Sequence, residues 1–400
     1  MTNSKTKKVM NTGLFRLPIK FFLIIVLVLG IQFSADLYIS VRSTMTWWII
    51  IPMASAIAFL ITFYTVPAIV KVSNSKNLFA APIGRSSHNS EVPNLGGIAI
   101  FLGFILASIL IAGVWFTSDV FYILAGLLIV LFIGLRDDLL ALSAEKKFTL
   151  QLFAVFVFTI FAEIRVDKVF FMFKSEDFGY LFAILFTAYV FLLLINGFNL
   201  IDGIDGLASG VGMLASLAFG IFFLRAGLIV YSAISFSLLG SLMAFFIFNF
   251  FGTRNKIFLG DTGSMLIGTI ISILAVKFIN LRGIQQANGG IAHAPIILFG
   301  ILIIPVYDTL RVFTLRILQG RSPFSADRQH IHHKLLDLGL SHRKATLILL
   351  GANIFFIFLS YFFQKLGNIQ MIIIILSLCI IMSSTLSRLA AIYSIAKNPA

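Results

Sequence analysis

The side chains able to do chemistry in this chain are few, and they are clustered. Only 16 of the 400 residues are Asp or Glu, and two of these, Asp137 and Asp138, are adjacent in Gly134-Leu135-Arg136-Asp137-Asp138. Neighbouring carboxylates repel each other, which raises their affinity for a proton or a cation. Such a pair can orient a divalent metal, accept a proton or place a charged substrate. As a plain solvated loop it would be balanced by Arg136, Lys146 and Lys147. A second cluster sets Asn196, Asn199, Asp202 and Asp205 three residues apart. Residues at that spacing share a helical face, but a regular helix rotates the row by about 60° at each step. Gly203 and Gly206 offer places to unwind, which lets all four side chains meet in one pocket. Two Asp-Gly turns would also account for the aspartates, though not for the asparagines before them.

Asp261 lies in Gly260-Asp261-Thr262-Gly263-Ser264. Small residues there allow the backbone to approach a phosphate, and Ser264 is placed to cap the following helix. The last cluster is Asp327-Arg328-Gln329-His330-Ile331-His332-His333-Lys334. Its histidines could ligate a metal, but their spacing fits no familiar zinc pattern. With Arg321, Arg328 and Lys334 nearby, a diphosphate-binding surface fits at least as well. His88 lies in a basic, Ser-rich loop where it could face a substrate, whereas His293 and His342 are isolated.

These groups must be positioned by a membrane bundle. Apolar residues make up 59% of the chain and charged residues 12%, with mean hydropathy +1.03. Apolar runs recur near the ~20 residues that cross a bilayer. The expected fold is all-α, a polytopic integral membrane protein of about ten to twelve transmembrane helices with no separate soluble domain. Apolar segments fall near 18–39, 46–70, 94–116, 120–136, 148–164 and 179–197, then 207–226, 228–251, 263–281, 293–315, 345–364 and 369–387. A basic tail and extra anchor occupy 1–45, the transmembrane domain 46–387, and a short tail 388–400.

With the N-terminus inside, most of the 30 Lys and Arg residues lie in cytoplasmic loops, as the positive-inside rule requires. Asp137, Asp138, Asp202, Asp205 and Asp261 then share the cytoplasmic ends of spans, where acidic residues mark function. The same bias explains the net charge of +14 without a nucleic-acid partner. The basic start and the apolar run after it resemble a signal peptide. Phe33 is a poor fit to the small residue needed before a cleavage site near Ala35, so a retained anchor is expected. Cys379, the single cysteine, can form no internal disulfide. A transporter also buries polar groups in spans, but near the midplane rather than at one face.

Taken in order, the motifs resemble the polyprenyl-phosphate N-acetylhexosamine-1-phosphate transferases of glycosyltransferase 4 type. The resemblance runs from Gly84-Arg85-Ser86-Ser87-His88 and Val92-Pro93-Asn94-Leu95-Gly96-Gly97 through Asp137-Asp138, residues 199–207 and residues 260–264 to residues 330–333. It covers about residues 75–345. The stretch 326–336 looks like the undecaprenyl-phosphate GlcNAc-1-phosphate transferase subgroup. The peptidoglycan subgroup, which uses UDP-MurNAc-pentapeptide, carries a histidine motif beginning with Pro.

The resemblance implies transfer of HexNAc-1-phosphate from UDP-HexNAc to undecaprenyl phosphate, releasing UMP, with Mg2+ as cofactor and Mn2+ as a substitute. It implies a bacterial inner (cytoplasmic) membrane enzyme working at the cytoplasmic face, and it leaves the oligomeric state open, a homodimer included. By the same match, Asp261 and Asn199 would hold the metal. Asp137 would position or deprotonate the lipid phosphate, Asp138 would hold the metal and lysine network, and Lys147 would contact phosphate. Asp205 would read the uracil edge. His330, His332 and His333 would hold the diphosphate or sugar, with Asn196, Asp202, His88 and Arg328 as further substrate-binding residues.

Overall fold

A computed structural model of the chain describes residues 47–76, 78, 92–112, 118–166, 179–283, 294–322 and 329–397. Every regular element among them is helical. In chain order they are α1 (Trp47–Lys76), α2 (Gly96–Ala112), α3 (Ser118–Leu140), α4 (Ala144–Phe156), α5 (Tyr180–Ile201), α6 (Leu207–Arg225) and α7 (Ile229–Phe246). After these come α8 (Gly260–Ile279), α9 (Ala294–Ile301), α10 (Ile303–Leu318), α11 (Ile331–Asp337), α12 (His342–Phe362) and α13 (Asn368–Lys397). Single π-helical turns, Val157–Phe161 and Ile247–Phe251, extend α4 and α7.

The chain is a multi-pass membrane protein. Among the described residues eight helices are long and apolar enough to cross a bilayer, or nine if the bent pair α9–α10 counts as one span. The expected segment 18–39 lies outside the described residues, and α2 is an apolar helix of shorter length.

The helix α8 is the axis of the bundle. Protein encloses 89% of its span, against 22% for the peripheral α13. Helices α3 and α5 pack directly on α8, and α2, α6 and α9 complete the ring around it. The side-chain hydroxyls of Thr269 and Ser272 inside α8 donate to the carbonyls of Met265 and Gly268 one turn back. Both of these buried hydroxyls therefore have a local acceptor, which a low-dielectric interior demands.

One expected span, 293–315, is broken. Its halves α9 and α10 meet at 77°. Pro305 has no N–H, so the Ile301 carbonyl loses its helical donor. The buried Asn353 of α12 supplies the replacement, its side-chain amide donating to Gly300 O at 3.2 Å and Ile301 O at 3.1 Å. The bend thus has a covalent cause and a partner that satisfies it. It swings α10 across α5, with Asp308 and Arg316 among its buried residues.

Candidate active site

Four segments converge at one end of the bundle: the C-terminal turns of α3 and α5 and the N-terminal turns of α4 and α8. Residues 93–97 and 258–259 pair through their backbones beside them, with Phe258 N–H on Pro93 O (2.8 Å) and the amides of Gly96 and Gly97 on Phe258 O and Leu259 O (3.0 Å each). A Cβ on Gly97 would lie 2.3 Å from the Gly263 nitrogen. Only glycine lets α2 meet α8 backbone to backbone there.

Asp138 locks α8 in place. Its Oδ1 accepts the Asp261 amide (2.8 Å) and the Asn94 side-chain amide (3.2 Å). Its Oδ2 accepts the Thr262 amide (3.0 Å) and hydroxyl (2.5 Å). The first amides of a helix lack internal acceptors, and a carboxylate is the favoured partner for them. This differs from one sequence expectation. Ser264 does not cap α8; its hydroxyl donates to the Asp261 carbonyl (3.3 Å) instead. Both oxygens of Asp138 are engaged by α8 and Asn94.

Asp137 serves the neighbouring turn. Between α3 and α4 the chain reverses sharply, with Ala141 at φ 43°, an uncommon conformation for a side-chain-bearing residue. Asp137 Oδ1 accepts the Leu142 amide at 2.7 Å and so braces that turn. Its Oδ2 pairs with Lys147 Nζ at 2.7 Å, and the Asp137 side chain is only 8% exposed. Lys147 also donates to Asp261 Oδ1, so one ammonium is shared by two carboxylates. Burial alone would lower its pKa, but the charges of Asp261 and Asp137 outweigh that and hold it above the ordinary lysine value. Asp261 Oδ1 further accepts the Asn199 amide at 2.6 Å, and the same nitrogen donates to Ser264 Oγ at 2.9 Å.

Beside this cluster lies a cavity of about 370 Å³. The helix α5 ends at Ile201, and residues 202–206 are unwound, with Gly206 at φ +81°. Asn196 and Asn199 in the last turns of α5 and Asp202 in the unwound segment line the cavity, together with Lys147. Asp205 is not on that lining. Its carboxylate pairs with Lys256 at 2.7 Å, and its backbone carbonyl accepts the Thr346 hydroxyl. The expected convergence of four polar side chains therefore holds for three.

The opposite wall carries His330, His332, His333 and Arg316. His332 is buried with neither ring nitrogen hydrogen-bonded, and the Gln151 Nε2 amide on the cavity is likewise unmatched. Asp202 has no hydrogen-bond or ion-pair partner among the described residues. Burial, and then the charges of Asp261, Asp138 and Asp205, push its carboxyl well above the usual range. Burial and the adjacent His333 lower His332 to about 3, so that ring is neutral. His88 and Arg328 lie outside the described residues. Gln151 and Arg316 escaped the sequence reading because one sits in an apolar helix and the other at the edge of a basic loop.

Related proteins give this arrangement a context. The chain is 32% identical over 304 residues to a Bacillus subtilis (strain 168) protein named "Probable undecaprenyl-phosphate N-acetylglucosaminyl 1-phosphate transferase", covering 73% of this chain and 80% of the relative. It is 30% identical to the undecaprenyl-phosphate alpha-N-acetylglucosaminyl 1-phosphate transferase of Escherichia coli (strain K12), covering 70% and 74%. A model of glycosyl transferase family 4 matches residues 120–279. The chain belongs to this family. A decaprenyl-phosphate N-acetylglucosaminephosphotransferase of Mycobacterium tuberculosis (strain ATCC 25618 / H37Rv), 32% identical over 73% of this chain and 77% of its own length, is a further relative. The family match spans α3 to α8, the helices that carry Asp137, Asp138, Lys147, Asn199 and Asp261. The histidine wall lies beyond it.

Proposed function

We propose that this protein transfers GlcNAc-1-phosphate from UDP-GlcNAc to a polyprenyl phosphate, giving polyprenyl-diphospho-GlcNAc and UMP. The observation that carries the reading is the polar cavity at the ends of the membrane spans, with Lys147 fixed at its edge between Asp137 and Asp261. One substrate is a soluble nucleotide and the other a lipid, so the reaction belongs at a membrane surface. The Lys and Arg bias supports a cytoplasmic position for this face, at the inner membrane of a bacterium.

In the reaction an oxygen of the lipid phosphate attacks the β-phosphorus of UDP-GlcNAc, and the bond from that phosphorus to UMP breaks. Phosphoryl transfer chiefly needs in-line placement and charge neutralisation. A phosphate ester loses its second proton with a pKa of about 6, so the acceptor arrives ionised and no base is required. This fits Asp137, whose oxygens are engaged by Leu142 and Lys147. Its part is to hold the ammonium where a phosphate oxygen can share it. Asn196, Asn199, Gln151 and the histidine wall provide the remaining polar contacts to the donor.

The residues also suit magnesium. Among the described residues no three His, Cys, Asp or Glu side chains form a metal cage. Magnesium, however, typically takes one or two carboxylates and completes its shell with water and substrate phosphates. The Asp261 carboxylate is 35% exposed, and its Oδ2 has no partner among the described residues, with Asn199 alongside. Asp261 and Asn199 would hold the ion, which when bound neutralises diphosphate oxygens.

Purified protein given labelled UDP-GlcNAc and undecaprenyl phosphate should form labelled lipid and UMP in equal amounts. Labelled lipid from UDP-MurNAc-pentapeptide alone would assign the peptidoglycan reaction instead, and no UMP from any UDP-sugar would remove the enzyme reading.

A further inference from the structure

Asp308 is a buried carboxylate beside the cavity for which the reaction above has no use. It lies on α10, past the 77° break, and is 2% exposed. Its Oδ2 is 2.9 Å from His330 Nδ1, and its Oδ1 accepts the Ile331 amide at 3.0 Å. Arg311, one turn further along α10, donates from Nη1 to the Gln329 carbonyl at 2.8 Å and approaches Asp308 Oδ1 at 3.8 Å. Three successive residues of the histidine segment are thus tied to one face of the bent helix.

The chemistry of the pair fixes more than position. An ionised carboxylate only accepts hydrogen bonds, so Nδ1 of His330 must carry the proton. That leaves Nε2 as the nitrogen available to the cavity that His330 lines. Which nitrogen of a histidine meets a ligand is set by the bond that the other one makes.

We propose that Asp308 is a positioning residue that sets the tautomer and orientation of His330, so that Nε2 meets the sugar-diphosphate portion of the nucleotide donor. The proposal rests on the transferase reading for the identity of that donor. The break at Pro305 has a role in it, because an unbroken span would not carry Asp308 across α5 to the histidines.

Asp308→Asn tests this in the full-length protein. The amide oxygen can still accept the Ile331 amide, while the NH2 group faces Nδ1 and forces the proton onto Nε2. The expected result is a fall in kcat/KM for UDP-GlcNAc of roughly 10–100-fold with the thermal midpoint preserved. In an His330→Ala background the same substitution should cause no further loss, because interacting residues are not additive. An equal loss in both backgrounds, or full activity of Asp308→Asn, overturns the proposal. Should the variant fail to fold, 15N-histidine spectra of the wild type, with His330→Gln to assign the signal, still decide. A protonated Nδ1 supports the pair and a bare Nδ1 refutes it. If the wild type makes no UMP from any UDP-sugar the transferase reading falls, whereas these spectra report on Asp308 and His330 regardless.

Discussion

Asp138 and Asp202 lie at the same end of the bundle in opposite surroundings. Asp138 accepts hydrogen bonds from Asn94, Asp261 and Thr262 on its two oxygens. Asp202 has no donor among the described residues and faces the cavity among like charges. A buried polar group left unmatched, as are the ring nitrogens of His332 and the Gln151 Nε2 on the same cavity, costs about 1–3 kcal/mol, so a fold keeps such groups only where something else satisfies them. The matched carboxylate braces the helices around the site, and the unmatched one, which shares the cavity with His332 and Gln151, is the one that the transferase reading proposed above assigns to the ligand. Sequence alone marks both aspartates as unusual and cannot tell these roles apart.

The comparison can be broken in several ways, beginning with the largest effect. Chelation with EDTA should abolish UMP release, with magnesium or manganese restoring it; full turnover in EDTA would take Asp261 and Asn199 out of any metal role. Asp261→Asn should lower kcat/KM by about 10²–10³-fold, the loss typical of a charge-stabilising group in a transition state, and added magnesium should recover only part of it. Lys147→Met leaves Asp137 and Asp261 without their shared cation. Removing one partner of a buried pair costs about 3–5 kcal/mol, and the 35% exposure of Asp261 points to the lower end. Adding Asp137→Asn to that variant should recover stability but not activity, as read by thermal denaturation beside a UMP assay.

The smallest effect is a pH dependence. Because the Asp202 carboxyl is pushed up in the folded protein, the native state binds its proton more tightly than the unfolded chain does. Its contribution to stability is therefore greatest below the unfolded value of about 4 and declines as pH rises toward the folded value. Asp202→Asn should flatten that decline in a melting series across pH.

Much of the architecture was legible because charges are scarce in an apolar chain. Asp137, Asp138, Asn199 and Asp261 stand out beside spans, and the glycines at 203 and 206 foretell the unwound turn that follows α5. What could not be read was who bonds to whom. The donors to Asp138 lie far away in sequence, at Asn94, Asp261 and Thr262. Asp205 follows the same three-residue spacing as its neighbours, yet Lys256 claims it. Asp308 was hidden because it falls within an apolar stretch that reads as one continuous span. The bend at Pro305 depends on Asn353, whose amide arrives from α12.

The division between matched and unmatched carboxylates is tested most directly by the thermal shift that UDP-GlcNAc induces in Asp138→Ala and Asp202→Asn, each compared with wild type. The account predicts that Asp138→Ala melts lower without ligand yet keeps a ligand-induced rise, while Asp202→Asn melts as high as wild type or higher and loses the rise. The reverse pattern, with Asp202→Asn unstable and Asp138→Ala unable to respond to ligand, would contradict it.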